Sequence, residues 1–237
     1  MPFILASEVD IAGSVLLVCA HPDDGEIRAG GTLRCITKLG HAVYQVILTD
    51  GSKGTQQGDL TPAKLATIRE QEQRAASKLI GVNQLFFFRE TDGQLENTLA
   101  LRCRLVWLIR TLKPDILITH DPWRHYQLHP DHRAAGFVTL DAMWAARDFL
   151  HFPELLDEGL ESHRVKQLWL FNAQQYDFYV DISESLDVKL AALSCHVSQG
   201  NDSIEMREEI LRRARRAGQQ AEIRYAEPFK RIILEHD

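Results

Sequence analysis

The chain has 237 residues, of which 45% are hydrophobic and 25% are charged, as in an ordinary globular protein. Its formal net charge of -6 argues against the basic surface that nucleic-acid binding requires. No apolar run reaches the roughly 18 residues of a membrane helix, and the N-terminus lacks the pattern of a signal peptide. We therefore expect a single domain over residues 1–237 in the cytoplasm, without nucleic-acid or membrane partners, and leave homo-oligomerisation open.

Short β-branched and aromatic runs alternate with longer stretches of helical periodicity, as in a parallel sheet covered by helices. The predicted strands are 14–20, 43–49, 84–88, 115–120 and 166–171, with 176–182 as an edge strand. The predicted helices are 30–39, 62–80, 99–112 and 131–149, followed from Ser183 by two helices that a break at 200–203 separates. This order predicts an α/β fold with a Rossmann-like, open, mostly parallel sheet and helices on both faces.

A polar segment, His21-Pro22-Asp23-Asp24-Gly25-Glu26, follows the first predicted strand directly. A bend at Pro22 and Gly25 would let His21 and Asp24 point to one centre. Asp23 would then stay close without coordinating, as a spare base for catalysis. The segment therefore predicts half of a catalytic metal site, although a turn with a helix cap would explain it equally well on its own.

A second polar segment, His129-Pro130-Asp131-His132, follows the fourth predicted strand and its loop. Both segments lie at the same rim of the sheet, where ligands of such folds bind. One imidazole from here would complete a set of two histidines and one carboxylate, which suits catalytic Zn²⁺ and also accommodates Fe²⁺. The other imidazole could act as an acid or an electrostatic stabiliser. Together the two segments favour a metal-dependent enzyme.

With these motifs the sequence resembles the LmbE or PIG-L family of de-N-acetylases, whose signatures are HPDD with a following Gly-Gly-Thr, and HPDH. Here they are residues 21–33 and 129–132. The resemblance continues through most of the chain at these positions: Arg69, Glu72, Asp92-Gly93, Asp181-Ile182-Ser183, Lys189, His196, Ser198 and Gln199. It implies hydrolysis of the linear amide of an N-acetylglucosamine-type conjugate, which releases acetate and a free amino sugar.

The resemblance also implies the metal, zinc with ferrous iron as the alternative, and its ligands. Those ligands are His21, Asp24 and His132. Zinc can lower the pKa of a bound water from about 15.7 to about 7, which is the chemistry that such a hydrolysis needs.

Further roles are carried over from the family to other residues of the two motifs. Asp23 is implied to be the general base, and His129 the partner of the substrate oxygen. Asp131 is implied to orient the imidazole of His129, and Arg69 and Asp92 to lie in the sugar pocket.

Several positions depart from the family pattern or have two interpretations. Arg28 stands where relatives often have a small residue, and Tyr126 lies one position away from a mobile tyrosine of some relatives. Tyr126 is therefore interpreted as a packed surface aromatic, and His120 either as a neighbour of the metal ligands or as a buried structural histidine. The segment 144–164 is expected to shape the pocket.

Other functions were weighed against the deacetylase. Related chemistry would serve another N-acyl substrate, such as a natural-product glycoside. A metallo-phosphoesterase would commonly hold two metals and need more ligands, and a nucleotide-binding module would carry G-x-G-x-x-G after the first strand instead of HPDDGE. The cluster Arg212, Arg213, Arg215 and Arg216 is interpreted as a solvated, salt-bridged helix face, with an anionic partner as the minor alternative.

Overall fold

The structure, a computed structural model, describes residues 13–55 and 60–234, in which strands and helices largely alternate. The first half contains β1 (Val15–Cys19), α1 (Asp24–Lys38), β2 (Val43–Thr49), α2 (Pro62–Ile80), β3 (Gln84–Glu90), α3 (Leu99–Leu112) and β4 (Ile116–His120). The second half contains α4 (Pro130–Ala146), α5 (Glu154–Asp157), β5 (Gln167–Phe171), β6 (Phe178–Asp181), α6 (Leu186–Leu193), a 3₁₀ turn (Val197–Gln199), α7 (Ile204–Gln220) and β7 (Ala226–Ile233).

The strands form one sheet in the order β3-β2-β1-β4-β5-β7-β6. The first five strands along the chain are parallel, whereas β7 runs antiparallel to both β5 and β6. The order of the strands reverses between β1 and β4, and open α/β sheets bind their ligands in the crevice at such a point. The predicted fold class is confirmed.

The sheet is buried on both faces, and alternate residues of β1 face different hydrophobic clusters. Val15, Leu17 and Cys19 pack with α1, α6 and α7, while Leu16, Val18 and Ala20 pack with α3 and α4. Burial on both sides explains why this strand is apolar without interruption. In the parts of the chain that the structure describes, no helix is both long and apolar enough to cross a membrane.

Two predicted boundaries differ from the structure. The strand β7 was not predicted, and it separates β5 from the edge strand β6. Its sequence carries the buried Glu227, which is atypical of a strand interior until its partners are known. Lys189 and the N–H groups of Gly31 and Thr32 all donate to this carboxylate. Their contacts compensate its burial.

Helix α1 begins at Asp24, six residues before the predicted start at Gly30. The glycines in this stretch discourage a helix on propensity alone. Packing nevertheless requires one of them, because a Cβ at Gly31 would lie 2.8 Å from the side chain of Ile182. Tertiary contacts therefore outweigh the local preference, and they place the start of α1 at the carboxyl end of β1.

The segment 144–164 contains the end of α4 and the short helix α5, and it packs on α3. Arg110 of α3 is 1% exposed. Its guanidinium donates to the carbonyls of Ala145, Ala146, Asp148, His151 and Phe152. None of the residues found to line the cavity at the two motifs comes from this segment. The prediction that the segment shapes the pocket is therefore wrong.

We expect Arg110→Met to lower the free energy of unfolding by about 3 kcal/mol, because several buried carbonyls lose their donor at once. Chemical denaturation followed by circular dichroism measures this change. The matched control is Arg102→Met on the same helix, whose partly exposed ion pair with Asp141 should contribute less than about 1 kcal/mol. Equal losses in the two variants would contradict the structural role of Arg110.

Candidate active site

The two predicted motifs lie side by side, at the carboxyl ends of the neighbouring strands β1 and β4. Asp24 is at their centre: its Oδ2 is 3.5 Å from Nδ1 of His21, and its Oδ1 is 3.3 Å from Nε2 of His132. Helix α4, which carries His132, approaches β4 closely at Gly136, where a Cβ would lie 2.7 Å from the carbonyl of His120. The structure thus brings the three predicted metal ligands together.

Three overlapping sets of side chains in this region could hold a metal ion. Within each set the ligand atoms lie within 4.8 Å of one another, and the sets are His21, His129 and His132; Asp24, His120 and His132; and His21, Asp92 and Asp131. The predicted trio is divided between the first two sets, which share His132. Imidazole nitrogens with a carboxylate oxygen suit zinc or ferrous iron better than calcium or magnesium. The donor set therefore fits the predicted metals.

Two carboxylates hold the imidazole of His21 from the side opposite Asp24. Its Nε2 lies 3.0 Å from Oδ2 of Asp131 and 3.1 Å from Oδ1 of Asp92. Burial alone would lower the pKa of His21, but its hydrogen bonds to Asp131, Asp24 and Asp92 raise that pKa well above its ordinary value. A carboxylate on the far nitrogen of a histidine is the usual outer support of a metal ligand. Nδ1 is thus left to face Asp24.

The carboxylate of Asp131 does not make the predicted contact with His129. It is fully buried, lies against His21, and accepts from the N–H groups of Gly93 and Leu95 at 2.6 and 3.1 Å. The backbone N–H of Asp131 instead donates to Nδ1 of His129 at 3.3 Å. Since His129 caps α4 in this way, its Nδ1 is an acceptor and its hydrogen resides on Nε2 when the ring is neutral.

Burial, together with the nearby His21 and His132, lowers the pKa of His129. The ring is stacked on His132, with centroids 4.5 Å apart. His129 is also exposed and lines the cavity. A neutral ring with an Nε2–H donor is therefore available to a bound molecule.

Asp23 lies beside the cluster in a left-handed backbone conformation, with φ of 93°. Its N–H donates to Oε1 of Gln73 at 3.0 Å, and its Oδ2 accepts from Nδ2 of Asn201 at 3.1 Å. Burial raises the pKa of Asp23 to about 6, although the Arg69 guanidinium acts in the opposite direction. Asp23 is thus fixed near the cluster without an ion pair closer than the 3.6 Å to Arg69, as the sequence predicted.

The two residues that hold Asp23, Gln73 and Asn201, were not among the predicted site residues. Gln73 lies in α2 and Asn201 in the turn after the 3₁₀ segment, so both are remote from the motifs in sequence. The only available signal was the position of Asn201 just after Ser198 and Gln199, which match the family pattern. Nothing local in α2 distinguishes Gln73.

Arg69 and Asp92 line a cavity of about 380 Å³ that the two motifs border. The guanidinium of Arg69 donates to the carbonyls of Pro22 and Gly51 at 2.6 and 3.0 Å. Asp92 accepts from the N–H of Lys53 at 2.9 Å, and burial opposes but does not prevent the lowering of its pKa by His21 and that bond. Both residues thus lie where the sequence placed the pocket, but their described contacts are within the protein.

His120 belongs to the cluster, which decides between its two interpretations. Its Nε2 is 3.3 Å from Oδ2 of Asp24, and its ring stacks on His132 with centroids 4.3 Å apart. Burial lowers the pKa of His120 to about 4. Its Nδ1 is buried and has no hydrogen-bond partner among the residues described. His120 is therefore a neutral neighbour of the predicted ligands.

Tyr126 was predicted to be a packed surface aromatic, and this is wrong. The residue is 92% exposed and has a positive φ of 59°. Its ring contact is with the neighbouring His125, at 5.7 Å between centroids. It does not line the cavity at the two motifs.

A family model decides the relationship of this chain to known proteins. The model for PIG-L, GlcNAc-PI de-N-acetylase, matches residues 16–143, which include both motifs. The chain belongs to the PIG-L family. The assignment that the motifs predicted is confirmed.

Named relatives of this PIG-L member span most of its length. It is 35% identical to a diacetylchitobiose deacetylase of Thermococcus kodakarensis over 222 residues, covering 91% of this chain and 82% of the relative. Its structure matches N,N'-diacetylchitobiose deacetylase from Pyrococcus horikoshii with a TM-score of 0.89 and 30% identity, covering 94% of this chain and 85% of that one.

One relative has a different activity. The chain is 27% identical over 201 residues to a 4-oxalmesaconate hydratase of Pseudomonas putida, covering 78% of this chain and 74% of the relative. Membership of the family therefore has to be joined to the geometry of the site before an activity is assigned.

Proposed function

We propose that this protein removes the acetyl group from an N-acetylglucosamine-type conjugate by metal-dependent hydrolysis of a linear amide. The products are acetate and a free amino sugar. The observation that carries the proposal is the placement of Asp23, a buried carboxylate fixed beside a His/Asp cluster and open to the same cavity. Family membership and the two deacetylase relatives support the predicted class of enzyme.

The metal ligands in this proposal are His21 through Nδ1, Asp24, and His132 through Nε2. The support for this choice is that Nε2 of His21 already contacts Asp92 and Asp131, while Nδ1 of His21 and Nε2 of His132 both face the Asp24 carboxylate. When bound, zinc or ferrous iron would polarise the acetyl carbonyl and lower the pKa of the attacking water. Zinc remains the metal that the sequence predicts.

The protons of the reaction are assigned to Asp23 and His129. Asp23 takes one proton from water at a carboxylate oxygen while the water oxygen bonds to the acetyl carbon. The developing oxyanion accepts a hydrogen bond from Nε2–H of His129, whose Nδ1 is occupied by the N–H of Asp131. When the C–N bond breaks, the amine nitrogen receives the proton that Asp23 held.

Arg69 and Asp92 are proposed to contact the sugar at the border of the cavity. Arg69 is also a positioning residue, because it donates to the carbonyl of Pro22 and lies 3.6 Å from Asp23. A cytoplasmic location and the choice of conjugate stay predictions from the sequence.

The proposal is tested by amine release from N-acetylglucosamine and N,N'-diacetylchitobiose, with metal content measured on the same sample by plasma mass spectrometry. We expect about one metal ion per chain, turnover that chelation removes, and recovery on addition of zinc or ferrous iron. Acetate should appear in equal amount with the amine.

Two results would contradict the proposal. Two metals per chain with release of phosphate from a phosphate monoester would favour the phosphoesterase. A metal-loaded protein that hydrates a 4-oxalmesaconate-type acid and releases no amine would place it with the hydratase relative.

A further inference from the structure

A second cavity, of about 400 Å³, lies between α1, α7 and β7. None of the residues that line it also lines the cavity at the metal cluster. The two cavities are nevertheless near each other, because Phe171 lines the second one and its ring packs against His120 of the cluster at 4.5 Å between centroids. A volume of this size suits a small organic molecule.

Helix α7 presents one stripe to this second cavity. Its residues there are spaced by three or four positions along most of the stripe: Ile210, Arg213, Ala214, Arg216, Ala217 and Gln220. The basic cluster of the helix is thus divided. Arg213 and Arg216 line the cavity, whereas Arg212 and Arg215 do not.

The charges around the cavity do not cancel. Lys189 and Glu227, both on its wall, form an ion pair with each other, and Arg213 pairs with Glu209. Arg28 and Arg216 make no hydrogen bond or ion pair within the described parts of the chain. Two guanidinium groups therefore face one cavity without a counter-charge.

Arg28 is the less solvated of these two groups. It is half-buried on α1, and burial together with the charge of Arg213 lowers its pKa. An unpaired guanidinium is costly in such surroundings unless an anion joins it. Guanidinium groups bind phosphate with paired, charge-assisted hydrogen bonds.

We propose that Arg28 and Arg216, with Arg213, form a binding pocket for the phosphate group of a small phosphorylated metabolite, separate from the metal cluster. The aromatic ring of Tyr176 and the apolar side chains Ile27 and Ile210 on its walls leave room for an organic part. The pocket requires no particular reaction at the metal cluster, so its test does not depend on the proposed deacetylation.

Calorimetric titration of the metal-loaded protein with glucose 6-phosphate, and with glucose as the neutral match, tests the pocket. We expect the wild type to bind the phosphate ester and not glucose. Arg28→Gln and Arg216→Ala should each weaken binding about 10- to 100-fold, because each loses a charge-assisted hydrogen bond. Arg212→Ala, an exposed arginine of the same helix outside the cavity, should bind like the wild type.

Arg216 is exposed, so its variant is expected to fold even if the Arg28 variant does not. Unchanged affinity in Arg216→Ala would show that the phosphate binds elsewhere, for example at the metal cluster, and would overturn the proposal. Equal binding of glucose, or no binding by the wild type, would overturn it as well.

Discussion

Asp23→Asn is expected to lower kcat by about 10²- to 10⁴-fold, which is the usual contribution of a general base. Asparagine keeps the size of the side chain and tolerates the left-handed backbone at this position. The N–H bond to Gln73 involves the backbone and is unaffected. The change therefore removes the basic oxygen with little disturbance of the site. Steady-state kinetics of amine release, with metal content on the same sample, measures the effect.

The metal should stay bound in Asp23→Asn, since the side chain is not among the proposed ligands. Asp202→Asn is the matched control, because Asp202 is an exposed carboxylate two residues from the 3₁₀ turn and next to Asn201. It should keep the wild-type kcat and metal. Full turnover in Asp23→Asn would remove Asp23 from the base role, and loss of metal would make it a ligand.

Much of the fold follows from patterns that a single sequence contains. Helix α2 begins and ends where periodicity and the Thr61-Pro62 start signal predict. The strand β1 is recognisable because both its faces are buried, which makes it uniformly apolar. Such elements have local causes, and local causes can be read in order along the chain.

The strand β7 had no such local cause. It depends on Lys189, more than 30 residues earlier in the chain, to neutralise Glu227 inside the core. A buried carboxylate near a proline argues against a strand when only neighbouring residues are considered. The partner that reverses this argument is supplied by the tertiary fold.

The candidate site divides in the same way. The two motifs place His21, Asp24 and His132 at adjacent strand ends, and the structure brings all three together. The contact assigned to the Asp131 carboxylate was wrong because His21, 110 positions away in sequence, lies nearer to it than the ring of His129. Residue types and motif spacing predict which groups meet, but orientation depends on backbone donors such as Gly93 and Leu95.

His132→Ala is expected to weaken metal binding by more than about 100-fold, which exceeds the loss usual for a residue outside the ligand shell. The imidazole belongs to two of the three candidate ligand sets, so no alternative set that includes Asp24 survives its removal. Turnover should disappear with the metal. Plasma mass spectrometry and thermal unfolding with and without added zinc measure the two consequences, since a bound metal stabilises the folded state.

His120→Ala decides between the proposed ligands and the set in which His120 joins Asp24 and His132. As a neighbour that contacts Asp24 at 3.3 Å, His120 should affect metal affinity by no more than about 100-fold. Added zinc should therefore still raise the unfolding temperature of His120→Ala, and should have no effect on His132→Ala. The reverse order would make His120 a ligand, and it would leave His21 as a residue that orients the substrate.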